Sequence, residues 1–233
     1  MVTADRFAKG MTFDEYVKFI GSEKNLAREG FDIRRFSQVR PRVDWSAYLR
    51  ARYARASLTG DQVAAIKWLA AQPGGPAKVL VISEDWSSDC RRDVPYLARL
   101  AEAGGLELRI FLRDSDTMLM KGLPAPEAGG NGDLVREFAN EKKGQKWASV
   151  PVAAFFTSDF RELHRYIEYP AIYHKEGLIG HLRAARAGET EEQTKARSGR
   201  DIAALLDSPF FDLWALAGVS EIISALHERL VTA

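Results

Sequence analysis

The chain has 233 residues with a formal net charge of +1, 46% hydrophobic and 28% charged residues, the make-up of a soluble globular protein. Its single cysteine excludes an intramolecular disulfide and fits a reducing compartment. The first ten residues lack the apolar core of a signal peptide, and no apolar run approaches a membrane span, so cytoplasm is the expected location and no membrane partner is expected.

Residues 12–29 read as a helix: Thr12 and Glu15 make a capping box, Phe13, Tyr16, Val17 and Ile20 form its apolar side, and Gly30 would end it. Residues 31–43 read as irregular, with Pro41 stopping any regular element. Asp44 is placed to cap a helix through Arg55, and Asp61 another through Ala71. The segment QPGGP, 72–76, is a linker into the first strand.

Seven arginines, Arg34, Arg35, Arg40, Arg42, Arg50, Arg52 and Arg55, stand against the one acid Asp44, interleaved with Phe36, Trp45, Tyr48 and Tyr53. Such interleaving suits nucleic acid, with arginine on phosphates and rings on bases. It also suits an amphipathic helix with rings inward and arginines solvated. The helical spacing and near-neutral total charge favour the second, so no nucleic-acid partner is expected.

Residues 78–100 organise the chain. Val79 to Ile82 is a β-branched apolar run suited to a buried strand, and Glu84 and Asp85 break it. Ser87 or Ser88 then caps a helix whose apolar positions, Val94, Leu97 and Leu100, recur at helical spacing. Trp86 to Cys90 therefore sits where a strand ends and a helix begins, and backbone N–H groups face whatever approaches. Asp89 and Asp93 read as carboxylates stabilising the helix start, while Arg91 and Arg92 either favour a Cys90 thiolate or point at solvent.

Beyond it, 106–114 reads as a second strand and residues 114–121 as the start of a helix. GLPAPEAGGNG, 122–132, is a loop that either overhangs the Trp86–Cys90 junction or is a tolerated insertion. A helix over 133–143 leads to Val150-Pro151 at the head of a third strand, 152–156, and 161–170 is a fourth. Residues 172–187 read as helix, 188–199 as a polar stretch, 201–206 as helix, and Ser208-Pro209 opens a final helix. That helix carries Phe210, Phe211, Trp214, Leu216, Val219, Ile222, Ile223, Leu226 and Leu230, a face to be buried on this chain or against a second copy in a homodimer. Packing within the chain is the expected outcome. His164, His174, His181 and His227 show no metal spacing, and no phosphate-binding glycine motif occurs.

The sequence WSSDC, the Pro95 five residues after Cys90, and the Val150-Pro151 step together resemble the thioredoxin superfamily, over about residues 75–185. In that family a strand runs into W-C-x-x-C, a proline kinks the following helix, and a cis-proline opens a later strand opposite. The resemblance implies an α/β, thioredoxin-like fold: a central mixed four-stranded sheet with flanking helices, a helical N-terminal extension over 1–74, the core over 75–185, and a helical C-terminal extension over 186–233 packed on that core. It implies a cis Val150-Pro151 bond. It also places Ser87 where the family has its attacking cysteine and Cys90 at the resolving position, inside the first helical turn and largely covered. A serine carries little alkoxide at neutral pH, so the two-thiol cycle cannot run within this chain.

Three functions follow from the resemblance. One is at most a weak single-thiol oxidoreductase, with Cys90 forming a mixed disulfide with glutathione or a client protein. Another is a peptide-binding or scaffold module. The third is a glutathione transferase-like enzyme using Ser87. In the first the catalytic residue would be Cys90 and in the third Ser87, while the binding module keeps the groove without the chemistry. An extended peptide or glutathione would bind in a groove bordered by Trp86, Ser88, Asp89, Val150 and Pro151. No metal is expected, and glutathione is the one cofactor the resemblance suggests.

Overall fold

The computed structural model describes residues 2–31, 39–115, 123–124 and 130–232. Arg34, Arg35 and Phe36, residues 116–121 of the helix expected over 114–121, and the loop residues 122 and 125–129 lie outside them, and residues 114 and 115 are not helical.

In chain order, the N-terminal part carries α1 (Ala4–Phe7), α2 (Phe13–Ile20), α3 (Glu23–Leu26), β1 (Glu29–Phe31), β2 (Val39–Pro41), α4 (Ser46–Arg55) and α5 (Gly60–Ala70). Then come β3 (Lys78–Ser83), α6 (Ser88–Gly104), β4 (Glu107–Leu112), α7 (Gly132–Glu137), β5 (Asn140–Lys142), β6 (Gln145–Trp147), β7 (Val152–Phe156) and β8 (Glu162–Ile167). The chain closes with α8 (Lys175–Arg183), α9 (Glu191–Leu206) and α10 (Pro209–Val231).

The central sheet has the order β4-β3-β7-β8, with β3 parallel to β4 and antiparallel to β7, and β7 antiparallel to β8. Leu80 of central β3 lies between Arg109 and Ala154, and Val79 to Ile82 are at most 2% exposed, as a strand covered on both faces must be. This is the mixed four-stranded sheet expected, and Val150-Pro151 at the head of β7 is cis. Helix α6 packs on β3 and β4 and is flanked by α4, α5 and α10. Burying each of its large apolar side chains, Val94, Leu97 and Leu100, stabilises the fold by about 1.5–3 kcal/mol. Gly105, at φ 65°, closes α6 in the left-handed conformation that glycine adopts without a Cβ penalty.

Several boundaries differ from the sequence reading. The capping box of Thr12 and Glu15 is present, but the helix stops at Gly21 because Ser22 caps a new helix, α3. Residues 29–41 are not wholly irregular, since β1 and β2 pair antiparallel. Thr59, rather than Asp61, caps α5, in a reciprocal box with Gln62. The helix expected over 133–143 ends at Glu137, and the chain turns into the β5–β6 hairpin through Lys143 and Gly144, at φ 53° and 72°. Residues 191–199 of the polar stretch belong to α9, opened by a Thr190–Gln193 capping box.

Helix α10 is, against the expectation, long and apolar enough to cross a membrane by length and composition. It is also an ordinary core helix: Ala215, Val219, Ile222 and Leu226 are buried where it packs on α5, α6 and β8. Phe211 and Trp214 form a second cluster with Tyr173, whose ring stacks on Trp214 at 3.9 Å. Phe210 and Leu213 are exposed.

Candidate functional site

Strand β3 delivers the chain into Glu84, Asp85 and Trp86, and α6 starts at once. Ser87 is its N-cap, with backbone φ −76°, ψ 122° and Oγ accepting from Cys90 N–H at 3.4 Å. That geometry folds Cys90 back under the strand end. Its side chain is 1% exposed, and its Sγ accepts from Glu84 N–H at 3.4 Å. Burial pushes the Cys90 thiol up to about 12.

The two arginines that follow do not offset this, and neither points at solvent. Arg91 donates to Asp85 O at 2.7 Å and stacks over Trp45 at 3.9 Å. Arg92 is 0% exposed and donates to both oxygens of Asp93 at 2.7 Å, to Asp89 Oδ1 at 2.9 Å and to Glu168 O at 3.1 Å. Asp89 and Asp93 are thus buried partners of Arg92 rather than solvated carboxylates at the helix start. Asp93 also accepts from the Tyr166 hydroxyl at 3.0 Å, and Asp89 pairs with Lys175 Nζ, which brings the chain after β8 against the first turn of α6.

Of the groove residues, Trp86 and Ser88 are half-buried, Ser87 is 7% exposed, and Asp89, Val150 and Pro151 are buried. The Trp86 indole N–H is committed to Asp114 Oδ2 at 2.9 Å, with the Arg113 guanidinium over its ring at 4.7 Å. Pro151 O accepts from Glu168 N–H at 2.8 Å. The Val150 backbone has no hydrogen bond among the described residues.

Beside this junction lies a buried ionic network that sequence reasoning missed. Glu84 accepts from Arg28 Nη2 at 2.8 Å, Arg42 Nη1 at 2.6 Å and Asp114 N–H at 2.8 Å. Arg42 also reaches Asp85 at 2.5 Å and Asp114 at 3.2 Å. Asn25 donates to Asp85 Oδ2 at 2.8 Å and accepts from Arg28 at 2.9 Å. Burial pushes Glu84 up to about 7, Asp114 adding to the rise while Arg42 and Arg28 pull the other way. The sequence shows two acids directly after a buried strand and a surplus of arginine upstream, but nothing local pairs them. Of that arginine stretch, Arg42 and Arg52 are buried while Arg50 and Arg55 are exposed.

A family model described as "Thioredoxin" matches residues 41–183, more than half of the chain. Among solved structures, a protein of unknown function, PA1234 from Pseudomonas aeruginosa, aligns with TM-score 0.55 and 13% identity over 98% of this chain and 99% of its own. An HIV epitope-scaffold of the 4E10 series aligns with TM-score 0.51 and 15% identity over 98% of this chain and 99% of its own. At those identities the two structures speak for the fold alone. No curated protein matches the chain.

Proposed function

The chain belongs to the thioredoxin family, and from that premise we infer that it acts as a non-redox binding module of that fold. The observation that carries this is the state of Cys90: 1% exposed, hydrogen-bonded through Sγ, and pushed up to about 12 by burial. A thiol in that state supplies neither the accessible sulfur nor the thiolate that exchange requires. Ser87 does not replace it, because its Oγ accepts the helix cap and the residue is 7% exposed. The same burial counts against a serine that activates a glutathione thiol.

What remains for a ligand is the half-buried edge at Trp86 and Ser88 together with the Val150 backbone. Backbone groups without partners beside a strand suit an extended peptide, which would pair with them as an added strand. A client peptide is therefore the partner class we assign. Two measurements test the reading. Iodoacetamide should leave Cys90 unlabelled in the native protein between pH 6 and 9 and label it fully in denaturant. A dithiol-coupled insulin assay should give no turnover above the uncatalysed rate. Rapid native labelling, or turnover, would overturn it.

A further inference from the structure

A cavity of ≈ 430 Å³ opens away from the Trp86–Cys90 junction, between α4 and the turn from α9 into α10. On one side Tyr48, Arg52 and Arg55 recur at i, i+4 and i+7, so they share one face of α4. On the other stand Asp207, Ser208 and Asp212.

Several of these polar groups are poorly satisfied within the chain, although Asp212 Oδ1 accepts from the Tyr96 hydroxyl at 3.1 Å. Arg52 is 4% exposed, yet neither Nε nor Nη2 has a hydrogen bond; Asp212 Oδ1 lies 2.8 Å from Nη2 without the alignment of one. A guanidinium so buried ordinarily spends its N–H groups. Among the described residues the Arg55 guanidinium, the Tyr48 hydroxyl and the Asp207 carboxylate make no hydrogen bond either. Burial raises the Tyr48 hydroxyl above its ordinary value, and Arg52, Arg55 and Asp207 each lie close enough to act on it. Ser208 leaves the first turn of α10 without a side-chain cap, its hydroxyl donating instead to Leu205 O at 2.7 Å.

The signs decide what fits. Two guanidiniums face two carboxylates, so the lining is formally neutral. A lone oxyanion would meet Asp207 and Asp212, and a lone cation would meet Arg52 and Arg55. A molecule bearing both charges meets a partner for each, and the volume falls in the range of about 300–1,000 Å³ usual for small-ligand pockets. We propose that this cavity binds a small zwitterion of the amino-acid class, its carboxylate against Arg55, Arg52 and the Phe210 N–H at the start of α10, and its ammonium against Asp207.

The test is an amide-shift titration of the full chain with L-alanine, using acetate, methylammonium and inorganic phosphate as single-sign controls. L-alanine should give saturable shifts at Phe210, Phe211 and Asp212, with each control weaker by about tenfold or more, as loss of one charge-assisted partner implies. Arg55→Gln and Asp207→Asn, both at exposed positions, should each weaken L-alanine binding by about tenfold. Absence of saturable shifts with L-alanine would overturn the proposal. So would acetate or phosphate binding as tightly as L-alanine, or indifference to both substitutions.

Discussion

Two buried charge clusters flank the start of α6, and they are built differently. On the strand side, three carboxylates, Glu84, Asp85 and Asp114, gather around Arg42 and Arg28. On the helix side, one guanidinium, Arg92, holds the two carboxylates of Asp89 and Asp93. The first ties Asn25, Arg28 and Arg42 to the end of β3; the second ties the chain after β8 to the first turn of α6 through Lys175 and Glu168. On one side burial, with Asp114 adding to it, pushes Glu84 up to about 7, whereas Arg92 is held firmly protonated by Asp93 and Asp89 despite its burial. The difference teaches that the segments outside the sheet are locked onto this junction by charge, and that burial raises a carboxyl in each lock, Glu84 up to about 7 and Asp93 above its ordinary value.

The largest expected effect comes from cutting the strand-side cluster at its hub. Arg42→Met leaves Asp85 and Asp114 each short of a cationic contact and Glu84 with Arg28 alone, so urea unfolding should show a loss of about 4 kcal/mol. Arg92→Met should cost somewhat less, about 3 kcal/mol, because Asp93 keeps Tyr166 and Asp89 keeps Lys175. A smaller loss for Arg42→Met than for Arg92→Met would reverse the ranking of the clusters.

Glu84 sharpens the contrast further. Its folded pKa lies above the value of 4.5 ordinary for the unfolded chain, so the folded state holds the proton more tightly. That contribution to stability is complete below pH 4.5 and is lost as the pH rises to about 7. The slope from this one group is at most about 1.4 kcal/mol per pH unit. The difference in stability between the native protein and Glu84→Gln should therefore change between pH 4.5 and 7 and be flat above 8. Arg92→Met should leave this pH-dependent difference in place. A flat difference throughout would mean that Arg28 and Arg42 keep Glu84 ionised.

What was legible in the sequence was what local pattern dictates. Val79 to Ile82, the Ser87 cap, Pro95 and Val150-Pro151 each declare their geometry within a few residues, and together they gave the sheet and the junction. The two clusters were not legible, because Arg42 and Glu84, or Asp93 and Tyr166, meet only after the sheet has formed. Charged residues were read as solvated by default, which is sound on average and wrong where a fold pairs them in its interior. Only the end of helix α9, 201–206, was legible, for another reason: residues 191–200 offer almost no apolar positions, although Thr190 and Gln193 carry a readable capping box.

The smallest expected effect distinguishes the outer edge of the helix-side cluster from anything on the strand side. Lys175 is 27% exposed at its side chain, while Asp89 is 4% exposed and keeps Arg92 if Lys175 is removed. The pair is therefore part-screened by solvent, and Lys175→Met should cost only about 0.5–1 kcal/mol in global stability. Helix α8, which begins at Lys175, has no buried residue, and its start is fastened by this ion pair, by Leu178 packed against the Tyr173–Trp214 stack and by the exposed contacts of Glu176 with Lys142 and Tyr169. The substitution should therefore speed amide exchange in α8 while leaving α6 and β3 protected, because local opening follows the number of buried contacts that must break. Exchange that accelerates equally in α6 would show that Lys175 supports the junction itself. Unchanged exchange in α8 would show that its other contacts suffice to fix it. The expected outcome, loss confined to α8, makes Lys175 a breakable outer contact of an otherwise buried lock.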